Sequence, residues 1–252
     1  MSKTIAIAGK GGTGKTTLAA LLIQLLSKQG AVLAIDADPS ANLHLALGLP
    51  LCQTVGDVRE EMLASVKKGT MEPGLSKQDY IELKIQEALV ESKGIDLLAM
   101  GRPEGPGCYC AANSMLRTCV DRLAGNYAYV VIDNEAGMEH ISRQTTRDVD
   151  ILILASDLSL RGLITAARMK ELIKELRTSV DRIALAIGRT NGELSPELKK
   201  AADELGVELI AHLPYDPGIA ELDSHGLPLV QLPEDSKLRL AVKDFAGKLG
   251  LI

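Results

Sequence analysis

Short aliphatic runs alternate with longer segments of helical periodicity along nearly the whole chain. Seven runs are apolar almost throughout, as in strands of a parallel sheet that is covered on both faces. We predict these strands at residues 4–8, 32–36, 95–100, 128–133, 150–155, 182–187 and 207–212. Helical spacing of apolar residues predicts helices between them, at 15–28, 161–177 and 195–204, the last beginning with Ser195 as N-cap and Pro196 as first helical residue.

This alternation predicts an α/β fold. Parallel strands joined by helical crossovers form a single doubly wound, mostly parallel sheet with helices on both faces. The pattern has one long interruption, where two helices are predicted at about 55–67 and 77–91. No internal repeat or linker divides the sequence, so we expect a single domain over residues 1–252 with a helical insertion at about 51–93.

Composition narrows the possible functions. Twenty-eight basic and 33 acidic residues give a net charge of −5, and only six residues, one Phe and five Tyr, are aromatic. An acidic chain with few aromatic rings lacks the basic field and the stacking surfaces that nucleic acids require. The sequence begins without a signal-peptide pattern and has no apolar run of membrane-spanning length. We therefore expect a cytoplasmic protein that binds neither nucleic acid nor membrane.

The first predicted strand leads into a phosphate-binding pattern. Residues 9–16 read Gly-Lys-Gly-Gly-Thr-Gly-Lys-Thr, a complete GxxxxGK[ST] motif between a strand and a helix. The glycines allow successive backbone N–H groups to point at one anion, and the helix N-terminus adds its dipole. Lys15 would neutralise the β- and γ-phosphates and Thr16 would ligate Mg²⁺. The predicted nucleotide contacts are Gly11, Gly12, Thr13, Gly14, Lys15, Thr16 and Thr17.

Three aspartates follow two other predicted strands. Asp36 and Asp38 end the second strand, and Asp133 ends the strand at 128–133. Because the carboxyl ends of parallel strands share one edge of a sheet, all three are expected to face the phosphate loop. Each could instead cap a helix, but carboxylates at this place are suited to Mg²⁺, which keeps several waters and takes few protein ligands.

The phosphate loop carries a second lysine, Lys10. The sequence GKGGTGKTT resembles the deviant Walker A signature of the MinD, ParA and nitrogenase iron protein class of dimeric ATPases. This resemblance implies that Lys10 reaches the partner's nucleotide and that hydrolysis requires a homodimer. It also implies that Asp38 positions or activates the attacking water, and that Asp36 and Asp133 hold the water shell of Mg²⁺. A surface lysine that only solvates the loop is the alternative for Lys10.

The same resemblance places the base of the nucleotide near the last strand. In this class a segment such as Leu213-Pro214-Tyr215-Asp216, with an Asn-Arg pair after the preceding strand, wraps the adenine. This chain has Gly188 and Arg189 at that pair, so the usual asparagine is missing. The implied base contacts are Arg189, Pro214 and Tyr215. ATP is preferred to GTP because the sequence has no guanine-reading NKxD pattern.

A Cys-x-Cys pair lies in a loop after the strand at 95–100. Residues 101–110 are rich in glycine and proline and end with Cys108 and Cys110. Two thiolates one residue apart can both reach a soft or borderline metal ion, whereas a closed zinc site needs four ligands. A two-fold dimer would place two such loops opposite each other and complete the set. The alternative is a pair of incidental cysteines.

The order of several segments makes the resemblance more specific. GKGGTGKTT, DADPSANL, GCYCAANSMLR and DNEAGMEHISR occur in the order of CooC-type ATPases, the maturation factors of nickel carbon monoxide dehydrogenase and its acetyl-CoA synthase partner. The resemblance covers nearly the whole chain. It implies an ATP-dependent nickel metallochaperone in which Cys108 and Cys110 bind Ni²⁺, or Zn²⁺, at a dimer interface, with a nickel enzyme as client.

Two other functions are compatible with the phosphate loop. A MinD- or ParA-like positioning ATPase would have the same phosphate loop, but its function would not explain the Cys-x-Cys pair. An ATP-driven reductase with a bridging iron–sulfur cluster, as in nitrogenase iron protein, needs the Cys-x-Cys pair to replace that family's ligands.

We expect Cys119 in the core, Cys52 without a role and His140 as a structural histidine. A helix at 236–249 is expected to pack on the sheet and not on a membrane surface.

Overall fold

One eight-stranded sheet organises the protein. A computed structural model describes residues 2–69, 77–102, 110–136, 148–175, 179–192, 194–207 and 209–252. The strands are β1 Lys3–Gly9, β2 Val32–Ala37, β3 Val90–Ser92, β4 Ile95–Ala99, β5 Tyr129–Asn134, β6 Asp148–Ser156, β7 Ser179–Thr190 and β8 Leu209–Pro214. Their order across the sheet is β3-β4-β2-β5-β1-β6-β7-β8. The pairing of β3 with β4 is antiparallel and the others are parallel, which confirms the predicted fold class.

Helices cover both faces of this sheet. They are α1 Lys15–Leu26, α2 Leu43–Leu47, α3 Val55–Lys68, α4 Lys77–Ala88, α5 Cys110–Leu123, α6 Leu160–Glu175, α7 Pro196–Glu204, α8 Pro217–Ser224 and α9 Lys237–Lys248. Buried side chains of α1, α2 and α9 pack on one face, and those of α3 to α7 pack on the other. Within the described ranges, no helix combines the length and the apolar character that crossing a bilayer requires.

The central strands alternate between these two layers. In β1, Ile5 and Ile7 pack with the α1 layer, whereas Ala6 and Ala8 pack with the layer of α3 to α7. Successive side chains of a strand point to opposite faces, so a strand between two helical layers is apolar at every position. This is the physical reason that continuous aliphatic runs in the sequence identify the strands.

The helices predicted at 195–204 and 236–249 are confirmed. The Ser195 side chain caps α7 by accepting a hydrogen bond from the backbone N–H of Leu198 at 3.3 Å, and Pro196 occupies the first turn. The C-terminal helix α9 buries Leu238, Val242 and Phe245 against the core, as expected of a helix that packs on the sheet.

Several element boundaries differ from prediction. Helix α1 ends at Leu26 instead of residue 28, and β7 extends over Ser179–Thr190 instead of residues 182–187. The second helix of the insertion ends at Ala88 instead of residue 91, and the edge strand β3 at Val90–Ser92 was not predicted. The last strand runs over Leu209–Pro214, two residues later than predicted. The turn after α7 causes this shift, because Gly206 adopts a left-handed conformation and the Lys170 ammonium donates to the carbonyl oxygens of Leu205 and Gly206.

Candidate nucleotide site

The phosphate loop joins β1 to α1 at the carboxyl edge of the sheet. Gly12 and Gly14 have φ angles of 77° and 86°, a left-handed conformation that favours glycine. The Thr13 hydroxyl donates to the carbonyl oxygen of Lys10 at 2.8 Å and closes the loop. No side chain caps the start of α1, and its first turn has no acidic residue. The helix therefore presents its first N–H groups and its positive dipole end to an anion.

Gly9, the last residue of β1, packs closely against the neighbouring strand where the phosphate loop begins. A Cβ at this position would lie 2.2 Å from the carbonyl oxygen of Ala155 in the neighbouring strand β6. Strand order reverses at β1, since the chain first adds strands on one side of it and later adds β6, β7 and β8 on the other. Ligands of doubly wound sheets bind at such a switch point, on the carboxyl edge.

Lys15 is a buried cation at the base of the loop. Its side chain donates to the carbonyl oxygen of Lys10 at 3.3 Å. Burial lowers the pKa of the Lys15 ammonium, while the negative charges of Asp133, Asp38 and Glu135 act in the opposite direction. A buried ammonium surrounded by carboxylates is placed to exchange these partners for the phosphates of a nucleotide.

Asp133 and Thr16 form the polar contact that fits a magnesium ion. The Thr16 hydroxyl donates to Oδ2 of Asp133 at 2.6 Å, whereas Oδ1 of Asp133 is buried and has no hydrogen-bond partner among the described residues. Burial raises the pKa of the Asp133 carboxyl to about 7, and the Thr16 hydrogen bond opposes this rise. An orphaned carboxylate oxygen beside a threonine hydroxyl suits a hard cation that prefers oxygen ligands.

Asp36 and Asp38 lie near Asp133, as their positions at the carboxyl ends of parallel strands predict. Asp36 and Asp133 are register partners on the adjacent strands β2 and β5. The two carboxylate oxygens of Asp36 accept backbone N–H groups, from Asp38 at 3.1 Å and from Leu43 at 2.8 Å. Burial raises the pKa of the Asp36 carboxyl to about 6. Asp38 is half-buried, and its Oδ1 accepts the N–H of Ser40 at 2.8 Å.

Lys10 differs from Lys15 in its surroundings. Its side chain is exposed, and it makes no hydrogen bond or ion pair with the described part of the chain. Gly11 and Gly12 beside it are exposed too, and Gly11 lies near Ala136, just beyond β5. The loop thus presents one lysine inward and one outward.

A cavity of about 230 Å³ continues from the phosphate loop toward β7 and β8. It contains the three residues that the resemblance assigns to the base, Arg189, Pro214 and Tyr215, together with Thr13, Gly14 and Thr17 of the loop and α1. Arg189 is exposed and adopts a left-handed φ of 56°. The structure therefore brings three of the predicted phosphate-loop contacts and the three implied base contacts into one pocket.

Some lining residues of this cavity were not predicted from the sequence. Ile219, Ala220 and Asp223 of α8 face it, although no motif marks them. Gly188 occupies the position at which the resemblance leads us to expect an asparagine. A Cβ at this position would lie 3.0 Å from the carbonyl oxygen of Thr13. This close approach of β7 to the phosphate loop favours glycine at residue 188.

The predicted metal site lies largely outside the described residues. Cys108 and His140 fall outside them, and Cys110 is described only as the first residue of α5. Cys119 is buried, as predicted, and burial raises the pKa of its thiol to about 12, whereas Cys52 is exposed. In the described ranges no three His, Cys, Asp or Glu residues cluster in a way that could hold a metal ion.

Comparisons with known proteins identify the family of this chain. A family model described as the CobQ/CobB/MinD/ParA nucleotide binding domain matches residues 4–229. An uncharacterised ATP-binding protein of Methanocaldococcus jannaschii is 47% identical over 97% of both chains. The carbon monoxide dehydrogenase accessory protein CooC of Rhodospirillum rubrum is 35% identical over 90% of this chain and 89% of its own length.

Solved structures show the same architecture. A ParA family ATPase from Chlorobium tepidum superposes with a TM-score of 0.73 at 21% identity, over 98% of both chains. At this identity the likeness concerns the fold alone, while the family model and the sequence relatives carry the assignment. The chain belongs to the CobQ/CobB/MinD/ParA family of nucleotide-binding domains and is a ParA/MinD-family ATPase.

Proposed function

We propose that the protein is an ATP-dependent metallochaperone that inserts nickel during maturation of carbon monoxide dehydrogenase, acetyl-CoA synthase or both. The observation that carries the proposal is the point at which the chain leaves the sheet before it reaches the Cys-x-Cys pair. Strand β4 ends at Ala99 beside Asp36, and the backbone N–H of Met100 donates to the carbonyl oxygen of Asp36 at 2.8 Å. The segment that contains Cys108 therefore starts at the carboxyl edge that also holds the phosphate loop.

In this proposal residues 1–252 act as one P-loop ATPase domain. Lys15 and the N–H groups of the loop bind the phosphates, while Arg189, Pro214 and Tyr215 contact the base. Thr16 and Asp133 would hold Mg²⁺, and the bound ion neutralises phosphate charge. Asp38 orients the attacking water in the same site.

The nickel site belongs to a homodimer in this proposal. Each chain contributes Cys108 and Cys110, so two chains supply four thiolates, which is a complete set for tetrahedral coordination of nickel or zinc. Lys10 points outward from the loop and reaches the nucleotide of the partner chain. Hydrolysis then alters the same interface that holds the metal, so that the cargo is bound and released under control of the nucleotide.

Nickel transfer to a client enzyme tests the proposal. Nickel-free carbon monoxide dehydrogenase from the same organism would be incubated with the nickel-loaded protein and MgATP, and its activity followed over time. We expect the nickel-loaded protein to activate the enzyme more than the same amount of free nickel does. The Lys15→Ala variant should lose this additional activation. Equal activation without ATP, or by that variant, would exclude an ATP-driven insertion.

A positioning ATPase is the second candidate, because the matching family model also includes MinD and ParA. Such a protein binds a membrane or DNA in its ATP state, which co-sedimentation with liposomes and with DNA would detect. The packing of α9 disfavours the membrane version, since Leu238, Val242 and Phe245 are buried in the core and are not available to a bilayer. Robust ATP-dependent recruitment to either surface would favour this candidate over the metallochaperone.

A further inference from the structure

One buried carboxylate holds both ends of the loop that carries Asp38. Oδ1 of Asp36 accepts the N–H of Asp38, where the loop begins, and Oδ2 accepts the N–H of Leu43, where α2 begins. The intervening turn is closed by the N–H of Ala41, which donates to the carbonyl oxygen of Asp38 at 3.0 Å. Asp36 is only 1% exposed, so water does not compete for these bonds.

The anchor of this clamp is part of the sheet. Asp36 lies in β2 between β4 and β5, with Ala99 and Asp133 as its register partners. Its own carbonyl oxygen accepts the N–H of Met100 at 2.8 Å. The position of the Asp36 carboxylate is therefore fixed by two neighbouring strands.

The loop itself lacks such support. Ala41 adopts a left-handed φ of 47°, which costs a non-glycine residue roughly 1 kcal/mol. Ser40 is exposed, and Asp38 bonds within the loop to the N–H of Ser40. A strained backbone persists only where its surroundings hold it, and the two bonds to Asp36 together with a contact of 2.6 Å between Nδ1 of His44 and the Ala41 carbonyl oxygen provide that hold.

Asp36 and Asp133 are adjacent but differ in what their oxygens can do. In the part of the chain that the structure describes, one buried oxygen of Asp133 has no hydrogen-bond partner. It lies beside the Thr16 hydroxyl and is available to a cation. Both oxygens of Asp36 already accept N–H groups of the Asp38 loop. The two carboxylates therefore have different tasks, although the sequence motif gives them the same one.

We propose that Asp36 is a positioning residue for ATP hydrolysis, whose carboxylate places Asp38 by clamping the loop 38–42, instead of serving mainly in the water shell of the metal. The inference rests on the proposed ATPase function of this site. It requires two acceptor oxygens at residue 36. An asparagine there would keep one acceptor and turn the other end into a donor that faces a backbone N–H.

Matched isosteric variants test the inference. Asp36→Asn and Asp133→Asn would each be compared with the wild type for kcat, the half-saturating Mg²⁺ concentration, the affinity for a non-hydrolysable ATP analogue, and hydrogen–deuterium exchange of a peptide that covers residues 36–47. For Asp36→Asn we expect kcat to fall by about 10- to 100-fold, while nucleotide affinity and Mg²⁺ requirement stay within about threefold. The 36–47 peptide should exchange faster with the analogue bound.

Asp133→Asn should instead raise the half-saturating Mg²⁺ concentration and leave the exchange of the 36–47 peptide unchanged. The inference is overturned if Asp36→Asn raises the half-saturating Mg²⁺ concentration about as much as Asp133→Asn does, or if exchange of that peptide is unchanged. The exchange measurement does not depend on turnover. A wild-type protein that fails to hydrolyse ATP would therefore refute the proposed activity, and the clamp would still be tested by exchange.

Discussion

Replacing Asp133 by asparagine should stabilise the nucleotide-free protein at alkaline pH, although Asp133 belongs to the proposed Mg²⁺ site. Burial raises the pKa of this carboxyl from 3.8 to about 7. A carboxyl with a raised folded-state pKa contributes stability that is fully present below its unfolded pKa and is lost as the pH rises through its folded pKa. Without metal or nucleotide, this group should therefore make the protein less stable as the pH rises from about 4 to 7.

The size of the effect follows from the pKa difference and from the orphaned oxygen. The pKa difference, 7 − 3.8, is about 3, which corresponds to ~4 kcal/mol at pH 8 and to ~1.6 kcal/mol at pH 5. An asparagine has no charge to bury, but its amide nitrogen would replace the unpartnered Oδ1 with a buried unsatisfied donor, at a cost of ~1–3 kcal/mol. The net stabilisation is therefore ~2 kcal/mol at pH 8 and near zero at pH 5.

Urea unfolding in EDTA, at pH 5 and at pH 8, measures this difference. Asp244→Asn is the control, because Asp244 is an exposed carboxylate that pairs with Lys248 on the surface of α9, and its free energy of unfolding should change by less than ~0.5 kcal/mol at either pH. If Asp133→Asn changed the free energy of unfolding equally at both pH values, the raised pKa of Asp133 would be wrong. A variant that is less stable than the wild type at pH 8 would refute the same reasoning.

Three further changes test other parts of the site. Lys15→Ala should abolish nucleotide binding because it removes the buried cation, as measured by calorimetric titration with ATP. Lys10→Ala should spare binding and remove hydrolysis or ATP-dependent dimerisation, and a normal rate of hydrolysis would contradict a role in the partner's site. Gly9→Ala should destabilise the protein by more than ~2 kcal/mol and weaken nucleotide binding, since its Cβ would meet the Ala155 carbonyl oxygen at 2.2 Å. Gly125→Ala, whose Cβ would have no neighbour within 4 Å, should change the free energy of unfolding by less than ~0.5 kcal/mol; equal unfolding of the two glycine variants would refute the steric reason.

Much of the fold could be predicted because its strands are buried on both faces. A strand such as β2, in which every residue from Val32 to Ile35 is apolar and buried, produces a continuous apolar run that few other structures share. The edge strand β3 escaped prediction for the opposite reason. Its three residues are partly or fully exposed and continue the polar pattern of α4, so that only its pairing with β4 defines it.

The candidate site likewise has residues that the sequence predicts and residues that it does not. Residues within one motif, such as Lys15 and Thr16, were predictable because their spacing alone brings them to the phosphate loop and the start of α1. The α8 residues that face the cavity are about two hundred positions away from the phosphate loop in the sequence, and only the tertiary fold brings Ile219 or Asp223 near it. The separate tasks proposed for Asp36 and Asp133 depend on individual hydrogen bonds, which a sequence pattern does not specify.

Metal content of the purified protein tests the central proposal most directly. After nickel loading and gel filtration, the wild type and an exposed-thiol control, Cys52→Ala, should each retain about one nickel or zinc ion per two chains and elute as a dimer. A Cys108→Ala/Cys110→Ala variant should keep its affinity for ATP and lose the metal. Equal metal content in all three proteins would contradict the account.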